Sequence, residues 1–219
     1  MRIAIAGAGK VGRSIAGELL AHHHDVLLID EDSSNFRTDM VGAQWLLGDA
    51  CEIASLDEAR LQDCAVAIAA TGDDKVNLVV SLLAKTEYGV PRVVARVNHP
   101  KNEWLFTEAW GVDVAVSTPR MLSALVEEAV SIGDVVRLME FEQGEANLVE
   151  ITLPSDSPVV GKRLGDLTWP VDVALVAIMR DRRVIIPTKD DPLENGDELL
   201  FVTAPEAEAE LQEIVVPQA

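Results

Sequence analysis

The chain has 219 residues, enough for one medium domain and a small one. With 48% hydrophobic and 25% charged residues it has the composition of a globular soluble protein. Its net charge of −19 and its 4% aromatic content argue against nucleic acid as a partner, because phosphate backbones demand basic surfaces and bases demand stacking rings. The acidity is not confined to a tail: residues 1–134 hold 20 acidic and 11 basic side chains, and residues 135–219 hold 17 and 7.

The chain opens directly on strand-forming residues, so no signal peptide is expected. No apolar run approaches the ~20 residues that span a bilayer. From Arg2 to about Ser131, short β-branched runs alternate with amphipathic stretches, the pattern of parallel strands joined by crossover helices. The strands are "RIAIAG", "DVLLID", "AQWLLGD", "AVAIAAT", "RVVARV" and "DVAVST", six for one doubly wound Rossmann-like α/β sheet. Helices are predicted over Val11 to Ala21, Ser34 to Met40, Ile53 to Arg60, Lys75 to Tyr88, Glu103 to Trp110 and Arg120 to Ser131. In the last, Met121, Leu122, Leu125, Val126, Ala129 and Val130 form an apolar stripe at helical spacing.

After Gly133 the pattern changes. "VRLMEFEQGEANLVEITL" reads as a hairpin turning near Gly144, and "VALVAIMRDRRVIIP" as a second turning at Asp181 and Arg182. "ENGDELLFVTA" is a turn and a buried strand, and "EAEAELQEIV" a short terminal helix. The expected division is a nucleotide-binding domain over 1–134 and a small α+β domain over 135–219.

Gly7, Gly9 and Gly12 form G-x-G-x-x-G between a strand and a helix. The first allows a tight turn, the second lets a pyrophosphate approach the backbone, and the third lets helix and strand pack closely. Asp30 ends the second strand, where a carboxylate accepts the ribose hydroxyl protons. Glu31 and Asp32 beside it would repel a 2′-phosphate, which favours NAD or an adenosine phosphate over NADP. Lys10 is either an exposed helix-start residue or an ammonium within reach of a terminal phosphate. Asp49 in "GDA" and Thr71, Asp74 and Asn77 in "TGDDKVN" follow the third and fourth strands, where open α/β sheets place ligands; capping by Thr71 or Asp73 is the alternative. Ala8 lies inside the glycine turn and Gly72 inside the later loop, and both join the candidate set. His22, His23 and His24 read as a solvated helix end and not as a metal site, and Cys51 and Cys64 as reduced packing residues.

These pieces resemble the regulatory subunits of Trk/Ktr potassium-uptake systems, built from RCK domains. The carriers are "IAGAGKVG", "LLID", "GDA" followed by "LDEA", "AATGDDKVNLVVSLLAK", "RVVARVNHP", "SPVVGKRLGDL" and "GDELLFVT". The resemblance implies a nucleotide pocket lined by Gly7, Gly9, Lys10, Val11, Asp30, Asp49, Ala50, Thr71 and Arg96, taking NAD(H), ATP or ADP. It further implies a second domain that in some relatives binds cyclic di-AMP, a helix after the sixth strand that crosses to a partner subunit, and dimers assembling into an octameric ring beneath a membrane potassium transporter or channel. That arrangement is cytoplasmic, peripheral to the membrane and non-enzymatic. One departure is Pro119-Arg120, where many relatives carry an acid that helps place a divalent cation; an arginine disfavours that metal. A small NAD-dependent oxidoreductase is the alternative reading of the fingerprint, but no sizeable substrate domain accompanies it. A nucleotide-sensing repressor would need a helix-turn-helix segment, and none is legible.

Overall fold

The computed structural model describes residues 1–37, 39–130, 132–141 and 146–216, without the side chains of Glu128 and Ala129. Its contacts divide the chain into two compact units, Met1–Pro119 and Arg120–Ala219. The change of unit therefore falls at the start of the helix that follows the sixth strand, where the sequence pattern placed it after that helix.

The first unit contains β1 (Arg2–Ala6), α1 (Lys10–Ala21), β2 (Asp25–Asp30), β3 (Gln44–Leu47), α2 (Ile53–Glu58), β4 (Val66–Ala69), α3 (Asp74–Thr86), β5 (Arg92–Val97) and β6 (Val114–Ser117). The strands form one parallel sheet in the order β3-β2-β1-β4-β5-β6. Strand order reverses between β1 and β4, so the crevice beyond their carboxyl ends is the ligand position of such a sheet. Alternation along β1 and β2 divides the core by face. Ile3, Ile5, Val26 and Leu28 pack with Ala16 of α1, while Ala4, Ala6, Leu27 and Ile29 pack with Leu56 of α2 and Leu78 and Ala84 of α3. Both faces are covered, which is why these strands read as continuous apolar runs.

Two predicted helices are not α-helical. In place of Ser34 to Met40 there is a single 3-10 turn over Ser33–Asn35, with Thr38 outside the described residues. The Asp32 carboxylate accepts from Ser34 N at 2.8 Å and from Ser34 Oγ at 2.7 Å, local bonds that compete with a continuing helix. In place of Glu103 to Trp110 there are two 3-10 turns, Pro100–Leu105 and Glu108–Trp110. Thr107 between them lies in extended backbone, and Gly111 at φ 74° ends the second.

The second unit takes in α4 (Thr118–Val130) from Arg120 onward, then β7 (Val136–Phe141), β8 (Ala146–Thr152), β9 (Val173–Arg180), β10 (Arg183–Ile185), β11 (Glu198–Thr203) and α5 (Glu208–Val215). Its sheet is antiparallel, in the order β10-β9-β11-β8-β7. The β9–β10 hairpin turns on Asp181 and Arg182, both at positive φ, as a two-residue primed turn requires. The turn expected near Gly144 lies outside the described residues. Val149, Ile151, Phe201, Leu211 and Val215 form the core beneath α5. Arg180 grips the fully buried Asp197 with two bonds of 2.6 and 2.7 Å and also pairs with Glu194. Arg137 pairs with Glu208, which also accepts from Asn147. In the α4 stripe Met121, Leu122, Leu125, Val126 and Val130 are each more than half exposed among the described residues. Ala129 of that stripe is among the side chains left undescribed.

At the far edge of the first sheet, Lys85 of α3 is bonded to both carboxylate oxygens of Asp113, at 2.7 and 2.8 Å, and Asp113 also accepts Val93 N at 2.7 Å. Asp113→Ala leaves the Val93 N–H without its acceptor and the half-buried Lys85 ammonium without its charged partner, with only Pro91 O at 3.0 Å remaining. It is expected to lower stability in urea denaturation by about 1–3 kcal/mol, whereas a loss under about 0.5 kcal/mol would remove this tie from the account.

Candidate functional site

Three glycines build the mouth of the crevice, each for a different reason. Gly7 turns the chain out of β1 at φ 99°, and a Cβ on it would lie 2.9 Å from the Cα and N of Thr71, so the ends of β1 and β4 abut. A Cβ on Gly12 would lie 1.9 Å from the Gly7 carbonyl oxygen, which seats α1 directly against the turn. Gly9 is different: a Cβ there would meet nothing within 4 Å. Its lack of a side chain is not demanded by the protein's own packing. Gly9 is the N-cap of α1, and no side chain caps that helix. The first-turn amides of this twelve-residue helix are therefore left uncapped by any side chain among the described residues, at the positive end of its dipole.

Asp30 ties this mouth to β2. One carboxylate oxygen accepts Ala8 N at 2.6 Å; the other accepts Asp32 N at 2.9 Å and Asn35 Nδ2 at 3.1 Å. Arg13, half-buried in the first turn of α1, donates to the carbonyls of Ala8 at 2.5 Å and Asn35 at 3.2 Å. Arg13 and Asn35 escaped the sequence reading. One lies a residue beyond the glycine motif, and the other lies in the segment read as a helix.

Across the crevice, Asn77 and Asp74 shape the loops after β4 and β5. Asn77 is fully buried; its carbonyl oxygen accepts Thr71 N at 2.9 Å and Thr71 Oγ1 at 2.7 Å, and its amide donates to Arg96 O at 2.8 Å. Asp74 is also buried, and its two oxygens accept Asn98 N at 2.6 Å, His99 N at 3.0 Å, Asn98 Nδ2 at 3.0 Å and Asn102 Nδ2 at 2.8 Å. The sequence left each open between ligand contact and a capping role; in the structure both hold the loops in place, with their polar atoms engaged inside the protein. Asp73 caps α3 by accepting Lys75 N at 2.7 Å. Arg96, which ends β5 with Val97, has a buried Nε without a hydrogen-bond partner among the described residues. An unpartnered guanidinium N–H at the carboxyl end of the sheet suits an anion.

The other candidates follow the carboxyl ends of β1, β2, β3 and β4. Lys10, Glu31, Asp49 and Gly72 are exposed, Val11 and Thr71 are half-buried, and Ala8 and Ala50 are buried. Asp49 accepts Cys51 N at 2.8 Å, and burial followed by the Asp49 charge pushes the Cys51 thiol up to about 11, so it stays protonated at neutral pH. The three histidines lie at the C-terminal end of α1 and in the turn after it, with the His22 ring against Glu18 O at 2.7 Å. Among the described residues no group of three His, Cys, Asp or Glu is placed to hold a metal ion. An open helix mouth for phosphate, a carboxylate at its ribose side and a cationic N–H across the crevice together fit an adenosine phosphate or a dinucleotide.

Burial alone would raise the Asp74 carboxyl, but its four donors outweigh that and hold it below the ordinary range; at Asp113 the Lys85 and Val93 donors do the same. Carboxylates lowered in the folded state contribute stability above their unfolded pKa of about 3.9, and that stability is lost as pH falls below it. Thermal melts are therefore expected to be flat from neutral pH to about 5 and to drop below about 4, with a shallower acid drop in Asp74→Asn. An equally steep drop in that variant would show that Asp74 does not carry the dependence.

Comparison with known proteins places the chain. A family model described as the TrkA-N domain matches residues 3–118, and one described as the TrkA-C domain matches residues 148–216. The chain is 59% identical to a Trk system potassium uptake protein TrkA of Mycobacterium tuberculosis over 218 residues, covering 99% of each chain. It is 32% identical to a TrkA homolog of Methanothermobacter thermautotrophicus, covering 94% of this chain and 95% of that one. Among solved structures it superposes on a GsuK channel bound to NAD with TM-score 0.72 at 16% identity, over all of this chain and 40% of the other, a likeness of fold. Matched in both units and along almost its whole length, the chain belongs to the TrkA family of potassium-uptake proteins.

Proposed function

We propose that this chain is the nucleotide-sensing regulatory subunit of a Trk-type potassium-uptake system, a switch and not an enzyme. The observation that carries the reading is the open, uncapped mouth of α1 at Gly9, with Asp30 on one side and the unpartnered Arg96 N–H on the other. In this reading the amides from Gly9 to Val11 hold the phosphates, Gly12 keeps the helix seated, and Asp30, with the Ala8 amide already bonded to it, takes the ribose. Lys10 meets a terminal phosphate, and Thr71, Gly72, Asp49 and Ala50 line the remaining walls. Glu31 and Asp32 put negative charge beside the ribose, which selects NAD(H), ATP or ADP over a 2′-phosphorylated dinucleotide. The bound nucleotide supplies a charge that differs between its forms, and only a ligand with unequal affinity for two conformations shifts their balance.

The uptake role rests on membership of a family whose relatives carry potassium uptake in their names. The oxidoreductase alternative finds no support among them. Among the described residues no helix is long and apolar enough to cross a membrane, so transport itself is assigned to a separate membrane transporter or channel subunit that this chain meets from the cytoplasmic side. The exposed α4 stripe is the surface we assign to a second copy, with dimers building the ring, an octamer by the family's pattern. The positive charge of Arg120 speaks against a divalent cation there. Cyclic di-AMP is the ligand to try on the second unit, on the strength of the resemblance alone.

Calorimetric titration with ATP, ADP and NADH tests the reading, and no binding of any of the three would overturn it. Gly9→Ala is expected to leave the melting temperature nearly unchanged while weakening nucleotides at least about tenfold, because its methyl group enters the space assigned to phosphate. Gly12→Ala, which must displace the Gly7 carbonyl, is expected to lower stability by about 1–3 kcal/mol. Lys10→Ala should weaken ATP more than NADH; equal losses would contradict its assignment to a terminal phosphate.

A further inference from the structure

The Asp30 carboxylate is already heavily engaged. Two oxygens offer about four lone-pair positions, and three of these are occupied, by Ala8 N, Asp32 N and Asn35 Nδ2. A ribose that donates both its 2′ and 3′ hydroxyls to this carboxylate needs two positions, and one is open. The Ala8 and Asp32 donors belong to the backbone. The Ala8 turn is fixed further by Gly7 N on Ile29 O at 2.8 Å. Asn35 is the one donor carried on a rotatable side chain, and its 3.1 Å bond is the longest of the three.

Asn35 is also held from a second direction. The Arg13 guanidinium bridges Ala8 O and Asn35 O, stapling the glycine turn to the Ser33–Asn35 turn. These carbonyls, and no carboxylate, are its bonded partners among the described residues. A guanidinium held by neutral acceptors alone keeps Asn35 over Asp30 without locking it there by an ion pair.

We infer that Asn35 is an internal stand-in for a ribose hydroxyl on Asp30, and that Arg13 is the positioning residue that keeps it there. The inference rests on the nucleotide-binding reading above and deepens it. Ligands that donate one hydroxyl use the open position and leave Asn35 in place. Ligands that donate two displace it, and with it the Ser33–Asn35 turn. The pair therefore sets how strongly the site distinguishes a ribonucleotide from a 2′-deoxynucleotide, narrowing that difference, and it couples ribose binding to movement of the chain after β2.

Calorimetry with ADP and 2′-deoxy-ADP on the full-length chain tests this, with circular dichroism to establish that each variant is folded. Asn35→Ala is expected to tighten ADP about three- to tenfold, the worth of one competing hydrogen bond, and to leave 2′-deoxy-ADP within about twofold. Asn35→Ser, whose hydroxyl is too short to reach Asp30, should do the same. Arg13→Gln should tighten ADP by less than Asn35→Ala does. A purely structural role for Asn35 weakens both ligands together, and that result, or no change in ADP, or equal tightening of both ligands, overturns the inference while leaving nucleotide binding intact. A wild-type chain that binds neither ligand nor NADH overturns both readings.

Discussion

The absence of one carbon atom governs the first unit. Because Gly12 has no Cβ, the first turn of α1 comes down onto the Gly7 carbonyl, where a side-chain carbon would lie 1.9 Å from the oxygen. That contact fixes the axis of α1 relative to β1 and so decides where the helix's unsatisfied amides face. Gly7, pressed against Thr71, sets the neighbouring strand end in the same way. The placing of the α1 N-terminus at a sheet switch point follows from packing that uses backbone alone. The same geometry explains why Gly9 stands apart, since nothing among the described residues requires its smallness.

Around that seat, polar groups divide into those that build and those that remain available. Asp74 and Asn77 are buried and saturated, and they hold the loops after β4 and β5 to one another through Asn98, His99, Asn102, Thr71 and the Arg96 carbonyl. Arg96 thereby has its backbone fixed while its Nε has no partner among the described residues. A rigid frame that presents a few unsatisfied donors is what selective anion binding needs, because little ordering remains to be done when the ligand arrives. The second unit uses its charges differently: Arg180 and Arg137 are closed on Asp197 and Glu208, ties between strand, turn and helix.

Much of this was legible in the residues. The six strands, the glycine spacing and the acid at the end of the second strand are local patterns, set by apolar runs and by steric demands that only glycine meets. The segments 34–40 and 103–110 were not, because 3-10 turns share the composition of short helices and are settled by capping bonds such as those of Asp32. For Asp74 and Asn77 the sequence left ligand contact and a structural role open, because a carboxylate or amide reads the same whether it faces a ligand or a neighbouring loop. The Arg13–Asn35 bridge spans 22 residues and depends on the path of the chain after β2, which no local pattern encodes.

The exposed face of α4 bears on how the protein exists in the cell. Five large apolar side chains, Met121, Leu122, Leu125, Val126 and Val130, are more than half open to water on this one helix. In the dimer proposed above a second copy covers that face, so folding and assembly would share one equilibrium, and the fraction of intact protein would depend on how much chain has been made. Abundance then becomes an input in its own right: a cell that synthesises little of the chain weakens the subunit itself, in addition to having fewer copies of it.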